Sequence, residues 1–371
     1  MKKAIIGILL LVFLTGCWDQ LQLRDLQLVD IAGFDLDEEN EGFLLHYIVT
    51  SLKGAGQGGG GEATSEMTTL KGTSLVQAIG EGQYTDKAPF LGINTRLYMM
   101  SKSFAENEPI KHLNFLLYAP YASINTPLVV FEGKISELLK MNSVSTQDFT
   151  KKLNHFITEA EKNSIMPSFT MMQFIQSEKE PLEGIAIPKL KQSPDSGIVF
   201  DGVLLFHKGQ YSGEELNRDQ VRMVMLMLGK DIGRQRYTGK FKKNNGKELA
   251  YGFAVKKGIS RITVHPEIFG LPIVDIDIHL KIHVFELGKP GSILKPDYIN
   301  RMEKELSKHL EEKSLKTIET LQKGNCDLLG IGQHLKAFHP DIWKSLDWSK
   351  DYPELPIKPN IDVQILNSNA Q

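Results

Sequence analysis

Val274-Asp275-Ile276-Asp277-Ile278-His279-Leu280-Lys281-Ile282-His283-Val284 is the stretch that decides the fold. Aliphatic residues alternate with charged residues or histidine along its whole length. A period of two belongs to a strand, because successive side chains leave a pleated backbone on opposite faces. One face is therefore dry and the other wet, as in an antiparallel sheet covered on one side. Upstream, Ala250 to Val255 and Ile259 to His265 read as shorter strands. Downstream, Pro296 opens a long helix carrying Ile299, Met302, Leu306, Leu310, Ile318 and Leu321, which ends before Gly324. A helix near His334 to Ser345 and a last strand, Ile361 to Leu366, follow. Strands, then helices, then a strand predict an α+β domain whose antiparallel sheet has its helices packed on one face.

The earlier part of the chain reads less directly. Leu26 to Leu36 and Gly42 to Thr50 are strands joined by the acidic turn Asp37-Glu38-Glu39-Asn40. Gly54 to Gly61 reads as an exposed loop; it lacks the Gly-Lys-Ser/Thr ending of a phosphate-binding loop. Thr73 is placed as the N-cap of a short helix with Leu75, Val76 and Ile79. Strands at Arg96 to Met100 and Leu128 to Phe131 flank a helix around Ile110 to Leu117. Ser145, with Asp148 three residues on, opens a helix whose stripe is Phe149, Leu153, Phe156, Ile157 and Ala160. Phe169 to Ile175 is a further apolar helix. Pro181 to Gly197 contains three prolines and two glycines and reads as a boundary. Beyond it come the strand Ile198 to Phe206, a turn at His207 to Gln210, and a helix from about Glu214 to Leu228. That helix is apolar nearly all round and rich in methionine, which suits either a docking surface or, as the plainer expectation, burial between domains. The expected division is a leader at 1–16, an N-terminal α+β domain at 17–195, a small middle domain at 196–245 and a C-terminal α+β domain at 246–371.

The N-terminus carries the firmest chemistry. Met1-Lys2-Lys3 is a short positive start, and Ala4 to Leu14 is an apolar run of 11 residues. A spanning helix needs roughly 20, so the run fits the core of a secretion signal. Leu14-Thr15-Gly16-Cys17 then supplies a branched apolar residue, two small residues and a cysteine. This pattern predicts cleavage between Gly16 and Cys17, with S-diacylglycerol and an N-acyl group on Cys17. Two or more acyl chains, at roughly 0.8 kcal/mol per buried CH₂, suffice for stable anchoring.

Lys and Arg together number 43 against 45 acids, a net charge of −2, so no basic excess points to nucleic acid. The two cysteines, Cys17 and Cys326, cannot pair once Cys17 is acylated. His279 and His283 share a wet strand face with Asp275 and Asp277, but residues two apart on a strand lie about 7 Å apart and no further ligand converges. His334 and His339 lack a third partner. Gly330-Ile331-Gly332 starts like a dinucleotide loop without the third glycine, and reads as a tight turn opening a helix. Cys326, beside Leu328 and Leu329, reads as a core residue. No catalytic, metal or cofactor site is expected.

Together these residues resemble the Ger(x)C lipoproteins, the C subunits of bacterial spore germinant receptors. The resemblance runs through Gly16-Cys17-Trp18-Asp19 and Val29-Asp30-Ile31-Ala32-Gly33-Phe34-Asp35. It continues at Asp327-Leu328-Leu329-Gly330-Ile331-Gly332 and at Pro340-Asp341-Ile342-Trp343 followed by Trp348. Where many members carry an Arg-Glu pair after Trp-Asp, this chain has Gln20-Leu21-Gln22-Leu23 before Arg24-Asp25. The resemblance implies an elongated body of three α+β domains, lipid-anchored on the outer face of the spore inner membrane. It also implies work beside integral membrane A-type and B-type subunits, with no enzymatic activity. The alternative is a solute-binding lipoprotein of a membrane transporter, which needs two parallel βαβ lobes around a cleft. A cell-wall enzyme is a third reading, and it would need an acid or histidine whose loss abolishes activity on peptidoglycan.

Overall fold

The computed structural model describes residues 27–366, apart from 40, 52–63, 87–89, 121, 142–145, 180–183, 230–235, 243–247, 268–269 and 288–295. Among the described residues the strands form two sheets. The first contains β1 (Gln27–Asp37), β2 (Gly42–Ser51), β3 (Thr64–Gly72), β4 (Phe90–Leu91), β5 (Leu97–Ser101), β6 (Leu128–Phe131), β7 (Ile185–Ser193), β8 (Gly197–His207) and β9 (Gln210–Asn217). Their order is β3-β2-β1-β5-β6-β7-β8-β9, with β4 beside the start of β1. The middle of this sheet, β1-β5-β6-β7, is parallel, and both flanks are antiparallel hairpins. Parallel neighbours need crossovers. The helices Lys102–Ala105 and Pro109–Leu113 supply one between β5 and β6, and Ile135–Met141, Thr146–Lys162 and Met171–Gln176 supply one between β6 and β7.

Those crossovers bury both faces of the sheet. Ile31, Ile48, Leu97, Met99, Val129 and Leu190 pack toward the helix Thr146–Lys162 with its Leu153, Ile157 and Ala160. Val29, Phe34, Leu45, Tyr98, Met100 and Val130 pack the other way, against Leu75, Ala78, Phe104 and Phe174. Every residue of β5 and β6 is consequently buried, which is why these strands spell continuous apolar runs with no alternation.

The second sheet is β10 (Arg236–Lys242), β11 (Glu248–His265), β12 (Ile273–Leu287) and β13 (Ile357–Ile365), in that order. β12 buries Val274, Ile276, Ile278, Leu280, Ile282 and Val284 in the alternation its spelling dictates. They share a core with Met302, Leu306, Leu310, Ile318 and Leu321 of the helix Pro296–Lys323. The two strands expected at 250–265 are one, β11, with an irregularity between Val255 and Lys257. β10, β11 and β12 are antiparallel, while β13 runs parallel to β12 because the intervening helices carry the chain back before it re-enters. β13 is an edge strand, and its outward N–H groups are satisfied from the long helix. Ile361 N donates to Glu311 Oε1 (2.9 Å), Val363 N to Ser307 Oγ (3.1 Å) and Ile365 N to Glu303 Oε1 (2.7 Å). Acceptors four residues apart on a helix meet donors two apart on a strand, so the edge cannot recruit another chain. The whole is α+β, with helices on one face of the C-terminal sheet.

The stretch 196–245, read as a middle domain, is shared between the two sheets: β8 and β9 extend the first, and β10 opens the second. The stretch 181–197, read as a boundary, contains β7. Pro188 fits there because pairing with β6 begins only at Lys189, so the missing N–H costs that neighbour nothing. Glu214 belongs to β9, and the following helix is Arg218–Met227, capped by Asn217 and Gln220 in a reciprocal box. Val221, Met223, Val224, Leu226 and Met227 are buried in the core that joins both sheets, while Arg218, Asp219 and Arg222 give the observed helix a polar outer face that the expectation of an all-round apolar surface did not include. Ser74, one residue after Thr73, caps the helix Leu75–Gly82. The helix expected at 334–345 is two, Ile331–Phe338 and Pro340–Ser345, because Pro340 starts a new helix. The glycine run at 54–61 and Ser145 lie outside the described residues, as do Cys17 and the leader.

Candidate functional site

Three polar clusters stand out among the described residues, and two of them contain motifs singled out above. The first sits on β1. Asp30 accepts from Thr50 Oγ1 on β2 and from Asn94 Nδ2 (2.8 Å), with Arg96 Nε at 3.7 Å. Asp35 accepts from the N–H groups of Leu36 (2.9 Å) and Ile135 (3.2 Å), with His46 Nε2 at 4.0 Å. Burial pushes the Asp35 carboxyl up, against the pull of Ser101 and those N–H donors. Gly33 is required because a Cβ there would lie 2.9 Å from Ile135 Cγ2. The Gly33-x-Asp35 pattern thus docks the start of the helix Ile135–Met141 onto β1.

The second cluster was not read from the sequence. Lys189 on β7, whose side chain is 9% exposed, reaches Glu132 Oε2 (3.2 Å), Asp201 Oδ2 (3.6 Å) and Glu215. Lys102 binds Glu215 Oε1 at 2.8 Å and Lys191 binds Asp201 Oδ1 at 2.6 Å. Burial favours neutral Glu215, but the Lys102 and Lys189 ammonium groups outweigh it and hold the carboxyl below its usual range. A lysine in line with Ile185 and Ile187 was the available signal. Lys189→Ala leaves these carboxylates facing each other, and we expect a loss on the order of 2 kcal/mol in urea unfolding; the partial exposure of Glu132 keeps it below the fully buried range. Pairing Lys189→Met with Glu215→Leu should recover part of it.

The third cluster joins the two sheets. Asp327 accepts from Ile331 N (3.1 Å) and Gly332 N (2.7 Å) at the start of the helix Ile331–Phe338. Gly330 precedes that helix at φ 71°, a left-handed conformation that suits glycine. A Cβ on Gly332 would lie 2.7 Å from Trp348 Cε2, and the Trp348 ring lies against Trp343 (5.5 Å) and Tyr352 (5.2 Å). Tyr352 OH donates to Cys326 O at 3.2 Å, and Cys326 Sγ to Ile185 O of β7 at 3.5 Å. The Asp-apolar-apolar-Gly-apolar-Gly turn and the tryptophan pair are therefore one packed joint, seated on the first sheet. Burial pushes the Asp327 carboxyl up to about 6, although backbone N–H groups from Leu329 to Gly332 pull it down. A carboxyl raised on folding contributes stability that is present below its unfolded value and lost as pH rises through the folded one. The stability of the native chain minus that of Asp327→Asn should therefore fall between about pH 4 and 6. A difference that stays flat across that interval would remove Asp327 from the account.

The candidate chemical groups do not converge. His279 Nδ1 lies 3.4 Å from Asp362 Oδ2, and His265 Nε2 lies 3.0 Å from Asp275 Oδ2, as separate surface pairs. The His334 and His339 rings are 5.9 Å apart. Among the described residues no three His, Cys, Asp or Glu side chains are placed to share a metal. Cys326 is fully buried, and burial with the neighbouring Asp327 charge drives its thiol pKa up, away from the reactive thiolate. A cavity of about 390 Å³ lined by Val29, Tyr47, Leu70, Ile79, Gln83 and Phe90 lies beside the start of β1.

What this fold and its clusters define is a two-sheet α+β body whose motifs are structural joints. Residues 19–192 match the family described as "Spore germination protein N-terminal domain", and residues 201–369 match "Spore germination B3/ GerAC like, C-terminal". The chain belongs to this spore germination family. It is 21% identical to the spore germination protein GerQC of Bacillus cereus, over 100% of this chain and 99% of that one. It is 22% identical to the spore germination protein KC of Bacillus subtilis (strain 168), over 98% and 95%. The crystal structure of the GerBC protein shares the fold, with TM-score 0.58 and 17% identity, covering 91% of this chain and 97% of that one.

Proposed function

We propose that the chain is the non-enzymatic, lipid-anchored C subunit of a spore nutrient germinant receptor. It is held on the outer face of the spore inner membrane by the acylated Cys17 and works beside the integral membrane A-type and B-type subunits. The observation that carries this reading is the pair of germination-family matches, in order, over nearly the whole chain. The clusters at Asp30, Asp35 and Asp327 support it, since each is used up in holding helices and sheets together. Among the described residues no helix is long and apolar enough to cross a membrane.

Confinement near the bilayer raises the effective concentration of the body beside the membrane subunits. Its work is then to position or couple those subunits. The test is a deletion strain whose spores are offered a panel of amino acids, sugars and nucleosides. Loss of the response to at least one nutrient, restored by the intact chain, is expected. Unchanged responses to every nutrient that this spore recognises would overturn the proposal.

A further inference from the structure

Because β1, β5 and β6 are parallel, the segments that precede them all leave the first sheet from one end. The segment entering β1 at Gln27 begins, on the lipid-anchor reading, at Cys17, ten residues earlier. Fully extended, such a tether reaches roughly 35 Å. The segment entering β5 carries Ile93, 58% exposed, and the segment entering β6 carries Tyr118, 85% exposed. Tyr84, 87% exposed, follows the helix whose end packs on Phe90, the residue paired with Gln27. These segments are tied together: Arg96 N donates to Asp30 O (2.8 Å), Thr126 Oγ1 to Thr95 O (2.8 Å) and Tyr98 N to Pro127 O (2.9 Å). The amino end of the remaining parallel strand, β7, is covered by the Cys326–Asp327 turn, so the open part of this end is that of β1, β5 and β6.

We propose that this end rests on the bilayer that holds the anchor, with Tyr84, Ile93 and Tyr118 entering its interfacial layer. The inference deepens the lipid-anchor reading and rests on it. Tyrosine suits the place, since its ring is apolar and its hydroxyl stays wet. Among the described residues of these segments Glu81, Asp86 and Arg96 are exposed, so there is no basic excess that would make the contact depend on anionic lipid. The opposite end of the same strands carries the exposed Lys134–Glu38 ion pair and faces away.

The full acylated chain, reconstituted into phosphatidylcholine vesicles containing nitroxide-labelled phosphatidylcholine, gives the test. A fluorophore is placed at Ile93→Cys, at Tyr118→Cys or, as the control, at Lys134→Cys; buried Cys326 does not compete for label. We expect loss of emission at 93 and 118, none at 134, and no dependence on salt. Equal quenching at both ends, or quenching at 134 alone, overturns the contact face. So does protection of position 93 by copurified membrane subunits with no quenching by lipid, which would assign the patch to a protein. A chain that floats with the vesicles but is not quenched at 93 or 118 defeats this inference alone. A chain that is not acylated and does not float defeats the anchor as well.

Discussion

Cys17→Ala spores should contain a folded, unacylated chain that is depleted from the inner membrane, and should fail to respond to the nutrient that it serves. Two acyl chains bury enough methylene groups, at roughly 0.8 kcal/mol each, to make membrane residence effectively permanent. Alanine removes the thiol that carries the diacylglycerol, and with it the cleavage that depends on it. The folded body should be untouched, because Cys17 precedes β1 and, among the described residues, the core side chains begin at Val29. The defect should therefore be one of location: a stable protein, diluted away from its partners. Fractionation of the spores and a germination assay read the two consequences separately. A normal nutrient response from spores whose chain is unacylated would remove the anchor from the mechanism.

Gly184→Val should be the most damaging single change within the described body. An added Cβ at Gly184 would sit 2.4 Å from the carbonyl carbon and the sulfur of Cys326, and 2.5 Å from Asp327 N. Two of these three atoms belong to the backbone of the turn that joins the sheets, so no rotamer change relieves the overlap. The joint must open, taking with it the Cys326, Tyr352 and Trp348 packing. We expect a loss of about 3 kcal/mol or more in urea unfolding and new protease sensitivity near the joint. Gly80→Ala is the contrast. Its added Cβ meets nothing within 4 Å in a helix interior, and it should stabilise by about 0.5–1 kcal/mol. Equal effects at the two positions would mean that the joint does not couple the sheets.

The residues that could be read correctly were those whose surroundings are asymmetric. Val274 to Val284 alternate because one face of β12 is wet, and the stripe from Leu153 to Ala160 repeats because one side of its helix is wet. β5 and β6 are covered on both faces, so their spelling carries no period, and the parallel middle of the first sheet could not be read from it. β7 was hidden by Pro188, a residue that usually argues against a strand, and by the glycine before it. Gly184 is there for a contact with Cys326, about 140 residues away, and local patterns do not carry such pairings. Lys189 was overlooked because its carboxylates come from three other strands or their ends. The parallel entry of β13 follows from the helices before it, which also block its edge with Glu303, Ser307 and Glu311.

Purifying the chain from detergent-solubilised spore inner membranes, and identifying by mass what elutes with it, tests the central claim most directly. The account predicts a mature chain beginning at an acylated Cys17, together with two integral membrane proteins. A chain that elutes alone, or that comes off with a transporter in place of receptor subunits, would contradict it.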